Sequence, residues 1–185
     1  MNQSLIRPVR ESVVDALRVR VYASQSDLAA AAAAEVHTHL CETLAQQGTA
    51  RVILATGNSQ LQFLGRLAAM GGLDWSRLTL FHMDEYLGLD AMHTASFRRY
   101  MRERVEAIVK PGAFHYLEWD APEPIQECER YTRLLREKPI DLCCLGVGEN
   151  GHIAFNDPPV ADFADPLAVK IVQLDRACAQ QQVGE

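Results

Sequence analysis

The stretch LGVGENGHIAFNDPP, residues 145–159, puts an amide, an imidazole and a carboxylate close together in the chain: Asn150, His152 and Asp157. An imidazole titrates near neutrality, and a carboxylate beside it can set which ring nitrogen carries the proton. The trio therefore suits an acid–base relay, and the competing expectation is a structural histidine satisfied by a backbone carbonyl. The glycines also match G-x-G-x-x-G, the spacing of a dinucleotide cradle. That fingerprint needs a helix of sustained apolar periodicity after the glycines, usually in the first βαβ unit. Here the match falls late in the chain, and Pro158-Pro159 stop any long helix. A glycine loop presenting catalytic side chains is the better fit.

Two other stretches have chemical content. FHMDEY, residues 81–86, places Asp84 and Glu85 directly after an apolar run. Consecutive side chains diverge, so one acid can face a crevice while the other pairs or caps nearby. A partly desolvated carboxylate in that position can act as a general base; the alternative is a solvated loop acid. In TGNSQ, Thr56 to Gln60, a strand turns tightly into a helix. Gly57 permits close backbone approach, and the exposed amides at Thr56, Gly57, Asn58 and Ser59, with the Ser59 hydroxyl, suit a phosphate. The Walker spacing and its lysine are missing. An ordinary turn capped by Asn58 or Ser59 is the competing expectation.

These stretches need strands and helices to hold them. Hydrophobic period alternates between strand-like and helix-like along the chain, the signature of a parallel sheet covered by helices. Strands are expected at 17–23, 51–56, 78–84, 114–117 and 140–148, with one more at 169–175. Helices are expected from Ser26, as N-cap, to Gly48, and over 59–70, 96–109 and 124–138. The 140–148 strand is apolar on both faces and is expected to be central. All three chemical stretches follow strands, where open α/β sheets gather their ligands. The first 16 residues are expected to form an N-terminal extension to a domain spanning 17–185. The last residues, ACAQQQVGE, close no element, so the fold is expected to be C-terminally incomplete.

Composition narrows the function classes. At 185 residues, 48% hydrophobic and 23% charged, the chain suits one soluble domain with a substantial core. A net charge of −6 argues against a broad nucleic-acid-binding face. No signal-peptide core and no apolar run near ~18 residues occurs, so a cytoplasmic location without a membrane partner is expected. The five cysteines lack C-x-x-C pairing and are read as small buried hydrophobes, Cys143 and Cys144 pointing to opposite strand faces. His37 and His39, two apart on a helix, share no face, and no metal site is expected.

HMDEY followed by GLD, GVGENGHIAFNDP, and more loosely TGNSQ together resemble the glucosamine-6-phosphate deaminase/isomerase family, within the group that includes 6-phosphogluconolactonases. The likeness runs from about residue 17 to the end, with the motifs in family order. It implies a modified Rossmann-like α/β fold without a nucleotide, and aldose–ketose isomerisation with deamination, glucosamine 6-phosphate giving fructose 6-phosphate and ammonia. No cofactor or metal is implied. The only partner implied is a small-molecule sugar phosphate, with homo-oligomerisation left open. By resemblance Asp84 is the base that moves a proton between C2 and C1. His152 opens the sugar ring, with Asn150 and Asp157 orienting or relaying, and Thr56, Gly57, Asn58 and Ser59 hold the phosphate. The chain departs from the family in three places. Asn150 stands where Asp is commoner, and Asp157 where Glu is commoner. The family's phosphate-binding arginine falls around Gln180 to Gln182 and its lysine beyond Glu185, leaving Lys170 as a weak substitute. The lactonase relatives tend to read G-H-T-A-S where this chain reads G-H-I-A-F-N, which favours the deaminase side. A 6-phosphogluconolactonase and a non-catalytic sugar-phosphate sensor remain the alternatives.

Overall fold

The computed structural model describes residues 6–176 and 178–180. Strands β1 (Arg10–Val14) and β2 (Leu17–Val21) form an antiparallel hairpin apart from the main sheet. The 17–23 segment is thus a strand, but it pairs with residues 10–14, in the stretch expected to be an extension. Asp15, at φ 52°, makes the tight reversal between Val14 and Leu17. Helix α1 (Gln25–Gln47) begins two residues earlier than expected. Its cap is Ser24, whose hydroxyl accepts the Asp27 amide at 3.1 Å and donates to the Asp27 carboxylate at 2.8 Å. The S-x-x-D spacing from Ser24 carried that signal, and Ser26 lacks it. Gly48, at φ 84°, closes the helix in the left-handed conformation.

The main sheet holds β3 (Ala50–Leu54), β4 (Leu78–His82), β5 (Ala113–His115) and β6 (Leu142–Cys144) in the order β5-β4-β3-β6, all parallel. On one face Val52, Leu54, Leu78 and Leu80 pack against α1 and α2 (Asn58–Ala69), and against Met101 and Val105. Those two residues lie on α3 (Phe97–Met101), which continues through a π-helical turn (Arg102–Glu106) into α4 (Ala107–Val109). The other face packs Phe81 against Cys128 and Tyr131 of α5 (Pro124–Arg136). The molecule is therefore α/β, with a parallel sheet flanked by helices.

Two expectations about strands are corrected. β6 lies at the edge of the sheet among the described residues, not at its centre, and its Cys143 is exposed while Cys144 is buried. An apolar run shows that a strand can be covered, but it does not say which strands lie beside it. Residues 169–175 form no strand. Their polar groups are tied by side chains instead: the Asp175 amide donates to Asp157 at 2.9 Å, and Lys170 Nζ donates to the Val160 carbonyl at 2.9 Å and pairs with Asp165 at 2.6 Å. Lys170 is thus already neutralised by a carboxylate. Gln181, Gln182 and Glu185 lie outside the described residues.

Buried polar side chains fix the sheet to α5. The Arg51 guanidinium donates to the carbonyls of Leu134, Leu135 and Lys138, so a cation caps the last turn of α5. The Tyr131 hydroxyl accepts the His82 amide at 3.1 Å and faces the carbonyls of His82 at 2.8 Å and His115 at 3.1 Å. It therefore joins the carboxyl ends of β4 and β5. Tyr131→Phe strips these buried groups of a partner, and a loss of about 1–3 kcal/mol in unfolding free energy is expected by denaturant titration. An unchanged midpoint would show that water replaces the hydroxyl.

Candidate active site

The chain runs from β3 to β4 to β5 in one direction across the sheet, then returns to the far side of β3 as β6. That reversal opens a crevice beyond the carboxyl ends of β3 and β6, the place where open parallel sheets bind ligands. Leu54, His82 and Cys144 occupy one register row. Thr56, Asp84 and Gly146 each follow that row by two residues, so all three chemical stretches leave the sheet at the same edge.

The glycine loop builds a connected polar network. The Asn150 side-chain carbonyl accepts the His152 amide at 3.1 Å and lies 2.6 Å from His152 Nδ1. Asp157 Oδ1 lies 3.1 Å from the same nitrogen. The Asn150 amide nitrogen donates to Asp157 at 2.9 Å and to Asp175 at 3.1 Å. Facing two carboxylates, that end of Asn150 must be the NH₂. Its oxygen then accepts from Nδ1–H, leaving Nε2 of the neutral ring with a free lone pair. The shorter side chain of Asp157 still reaches the histidine, but Asn150 is the nearer partner. An Asp at 150 would put a third negative charge beside Asp157 and Asp175, so the amide suits this surrounding. Burial opposes ionisation of Asp157, yet the hydrogen bonds from Asn150 and the Asp175 amide, with the His152 ring, outweigh it and hold the carboxyl below its ordinary range.

Each glycine of the fingerprint serves this loop. A Cβ on Gly148 would stand 2.1 Å from His152 Cε1 and 2.5 Å from both ring nitrogens, so the imidazole lies directly over bare backbone. Gly151, at φ 85°, makes the reversal that returns the chain to His152. Gly146 lies against the Thr56–Ser59 turn, where a Cβ would meet the Ser59 hydroxyl at 3.5 Å. Gly148→Ala forces the ring off Asn150. A catalytic role for His152 requires that this variant lose turnover by at least about tenfold, with unfolding changed far less; full activity would exclude that role.

Asp84 and Glu85 divide as their adjacency suggests. Glu85 is buried and ionically satisfied: it accepts from Ser96 Oγ at 2.8 Å and from the amides of Tyr86, Phe97 and Arg98 at 2.9, 3.2 and 2.9 Å. The Arg98 guanidinium stands 3.5 Å away. Glu85 thus anchors the start of α3. Asp84 faces a cleft of about 660 Å³, lined also by Tyr86, Gly151, Ile153 and Phe155. Burial, then the Glu85 charge, push its carboxyl up to about 7. His82, just before it, is fully buried and accepts the Leu117 amide on Nε2 at 2.9 Å. Burial and the Arg98 charge hold it down to about 3, so it stays neutral. The alternation of β4 could have flagged His82 as an inward polar residue, but its partners come from distant segments.

The loops carrying Asp84 and His152 meet. Tyr86 and Phe155 have ring centroids 5.6 Å apart, and Phe97 packs against both. Cys178 adjoins the glycine loop from the other side, its Sγ within 4.8 Å of ligand atoms on His152 and Asp157. Thr56 and Gly57 are half-buried, and Asn58 and Ser59 are exposed. Gly57, φ 103°, is the N-cap of α2 and has no side chain to cap it; the Gln60 amide donates back to the Gly57 carbonyl at 3.0 Å. The Gly57 carbonyl accepts the Tyr100 hydroxyl at 3.3 Å. This turn abuts the glycine loop but does not line the cleft that holds Asp84.

Residues 23–166 match the family described as glucosamine-6-phosphate isomerases/6-phosphogluconolactonase. The chain is 38% identical over 130 residues to a glucosamine-6-phosphate deaminase of Staphylococcus saprophyticus, covering 66% of this chain and 54% of that protein. It is 41% identical over 123 residues to one from an Exiguobacterium species, covering 66% and 48%. The chain thus spans about half the length of the curated relatives it matches. Among solved structures, a monomeric glucosamine-6-phosphate deaminase superposes with TM-score 0.78 at 26% identity, covering 85% of this chain and 65% of that one. A 6-phosphogluconolactonase from Thermotoga maritima superposes with TM-score 0.61 at 28% identity, covering 66% and 56%. The chain belongs to the glucosamine-6-phosphate isomerase/6-phosphogluconolactonase family.

Proposed function

We propose that this chain carries the acid–base centre of an amino-sugar-phosphate deaminase, converting glucosamine 6-phosphate to fructose 6-phosphate and ammonia. The observation that carries the proposal is that a desolvated carboxylate, Asp84, and a histidine whose Nδ1 is engaged by Asn150 stand on loops that leave the same end of the sheet and touch through Tyr86 and Phe155. His152 Nε2 takes the proton of the anomeric hydroxyl and returns one to the ring oxygen, opening the sugar. Asp84 then removes the C2 proton and delivers it to C1, one base serving adjacent carbons. The amino group departs as ammonia when water adds at C2. The amides at the start of α2, with Ser59, hold the phosphate and fix the reacting carbons against the base.

Ammonia release from glucosamine 6-phosphate, assayed beside hydrolysis of 6-phosphogluconolactone, tests the proposal. Ammonia release without hydrolysis is the expected result. Hydrolysis alone would assign the chain to the lactonase side, and binding with neither turnover would make it a sugar-phosphate sensor. The pH profile is a further check. Asp84 must be ionised to accept a proton, so kcat/KM is expected to fall as pH drops through about 7 and to be restored above it. A rising limb near pH 4 would mean that the working base is an ordinary solvated carboxylate.

A further inference from the structure

Cys178 stands outside the chemistry above, yet it is buried against it. A ring nitrogen of His152, a carboxylate oxygen of Asp157 and the Sγ of Cys178 all lie within 4.8 Å of one another, and Nδ1 is the ring nitrogen that stands 3.1 Å from Asp157. Asp157 and Cys178 are buried, and the His152 side chain is 10% exposed, so the triangle has one open corner. We propose that His152, Asp157 and Cys178 form an inhibitory site for a zinc-class divalent transition metal.

The donor set selects the metal. One nitrogen, one carboxylate oxygen and one thiolate suit Zn²⁺ and its neighbours, whereas Mg²⁺ and Ca²⁺ require oxygen shells. Three protein ligands leave a fourth tetrahedral position for water at the exposed corner by His152. Charge also favours occupancy. The empty triangle holds one carboxylate, a neutral ring and a neutral thiol; the filled one holds carboxylate, thiolate and a dication, and is neutral overall. Asp175, hydrogen-bonded to Asn150 and to the Cys178 amide, adds negative potential from behind. Burial and the Asp157 charge keep the empty thiol protonated, up to about 11, so loading must expel that proton.

The proton count explains the inhibition, a consequence that rests on the role proposed for His152. Before loading, the thiol and Nδ1 each carry a hydrogen and Nε2 has none. On loading, the thiol proton goes to solvent, Nδ1 donates its lone pair to the metal, and the ring proton moves to Nε2. The nitrogen that served as a base then becomes a donor. Asn150 Oδ1 loses its Nδ1–H partner in the same event.

Co²⁺ is the probe, titrated into the full chain and followed by absorption. The expected result is one equivalent of tetrahedral Co²⁺ with a sulfur-to-metal charge-transfer band, absent in Cys178→Ser. By competition with a chromogenic chelator, Zn²⁺ affinity should fall at least about tenfold in that variant. One proton released per Zn²⁺ is expected in weak buffer. Absence of the band in the natural chain, or its retention in Cys178→Ser, overturns the site; retention would point to another thiol such as Cys41, 3.8 Å from His37 Nδ1. Should Cys178→Ser not fold, His152→Gln is titrated instead, and unchanged Zn²⁺ affinity there is equally fatal. None of these readouts uses turnover, so they are decided separately from the deaminase proposal.

Discussion

Asp84→Asn is expected to abolish exchange of the substrate's C2 proton with solvent, lowering turnover by ~10²–10⁴-fold while leaving sugar-phosphate affinity within a few-fold. The substitution preserves size and removes the one property at stake, the capacity to take a proton at neutral pH. Glu85 cannot take over, because its oxygens are engaged by Ser96 and by three backbone amides at the start of α3. Nor should the variant unfold. Asp84 is pushed up to about 7 because the folded protein already disfavours its charge, so a neutral amide relieves a cost. Exchange measured by loss of deuterium from C2 separates the two steps of the reaction, since it does not require the amino group to leave. Retained exchange in Asp84→Asn would exclude this carboxylate as the base.

His152→Gln is expected to lower turnover of the cyclic sugar by about 10²-fold, some 2.7 kcal/mol of barrier, and to affect an open-chain analogue much less. The asymmetry follows from the geometry. The ring is held over Gly148 with Nδ1 bonded to Asn150, so Nε2 is the nitrogen left to exchange a proton with a substrate. Glutamine can hydrogen-bond there but cannot shuttle a proton. An open-chain substrate has passed the step that needs the shuttle, and only Asp84 remains to act on it. Equal losses on both substrates would refute a ring-opening role and leave His152 as a binding residue.

Much of this molecule could be read along the chain, because periodicity and turn chemistry are local properties. The apolar strands before Thr56, Asp84 and Gly146 stood out by composition. Pro158-Pro159 ruled out a long helix after the glycines, and residues 157–175 form none. The adjacency of Asp84 and Glu85 predicted their division of labour, since neighbouring side chains on an extended backbone diverge. The clustering of Asn150, His152 and Asp157 was likewise a matter of short spacing around a turn.

What required the tertiary structure involves pairing between distant segments. Which strand neighbours which depends on long-range contacts that leave no period in the sequence, so β6 lies at the edge and 17–21 in a hairpin despite strand-like patterns. The site depends on the same long-range level. Gly148 under the imidazole, Tyr131 tying β4 to β5, and Asp175 and Cys178 closing on Asp157 are contacts between residues that composition treats as ordinary. The elevated pKa of Asp84 belongs there too: a carboxylate's spacing is written in the chain, but its desolvation exists only once the surrounding walls have folded around it.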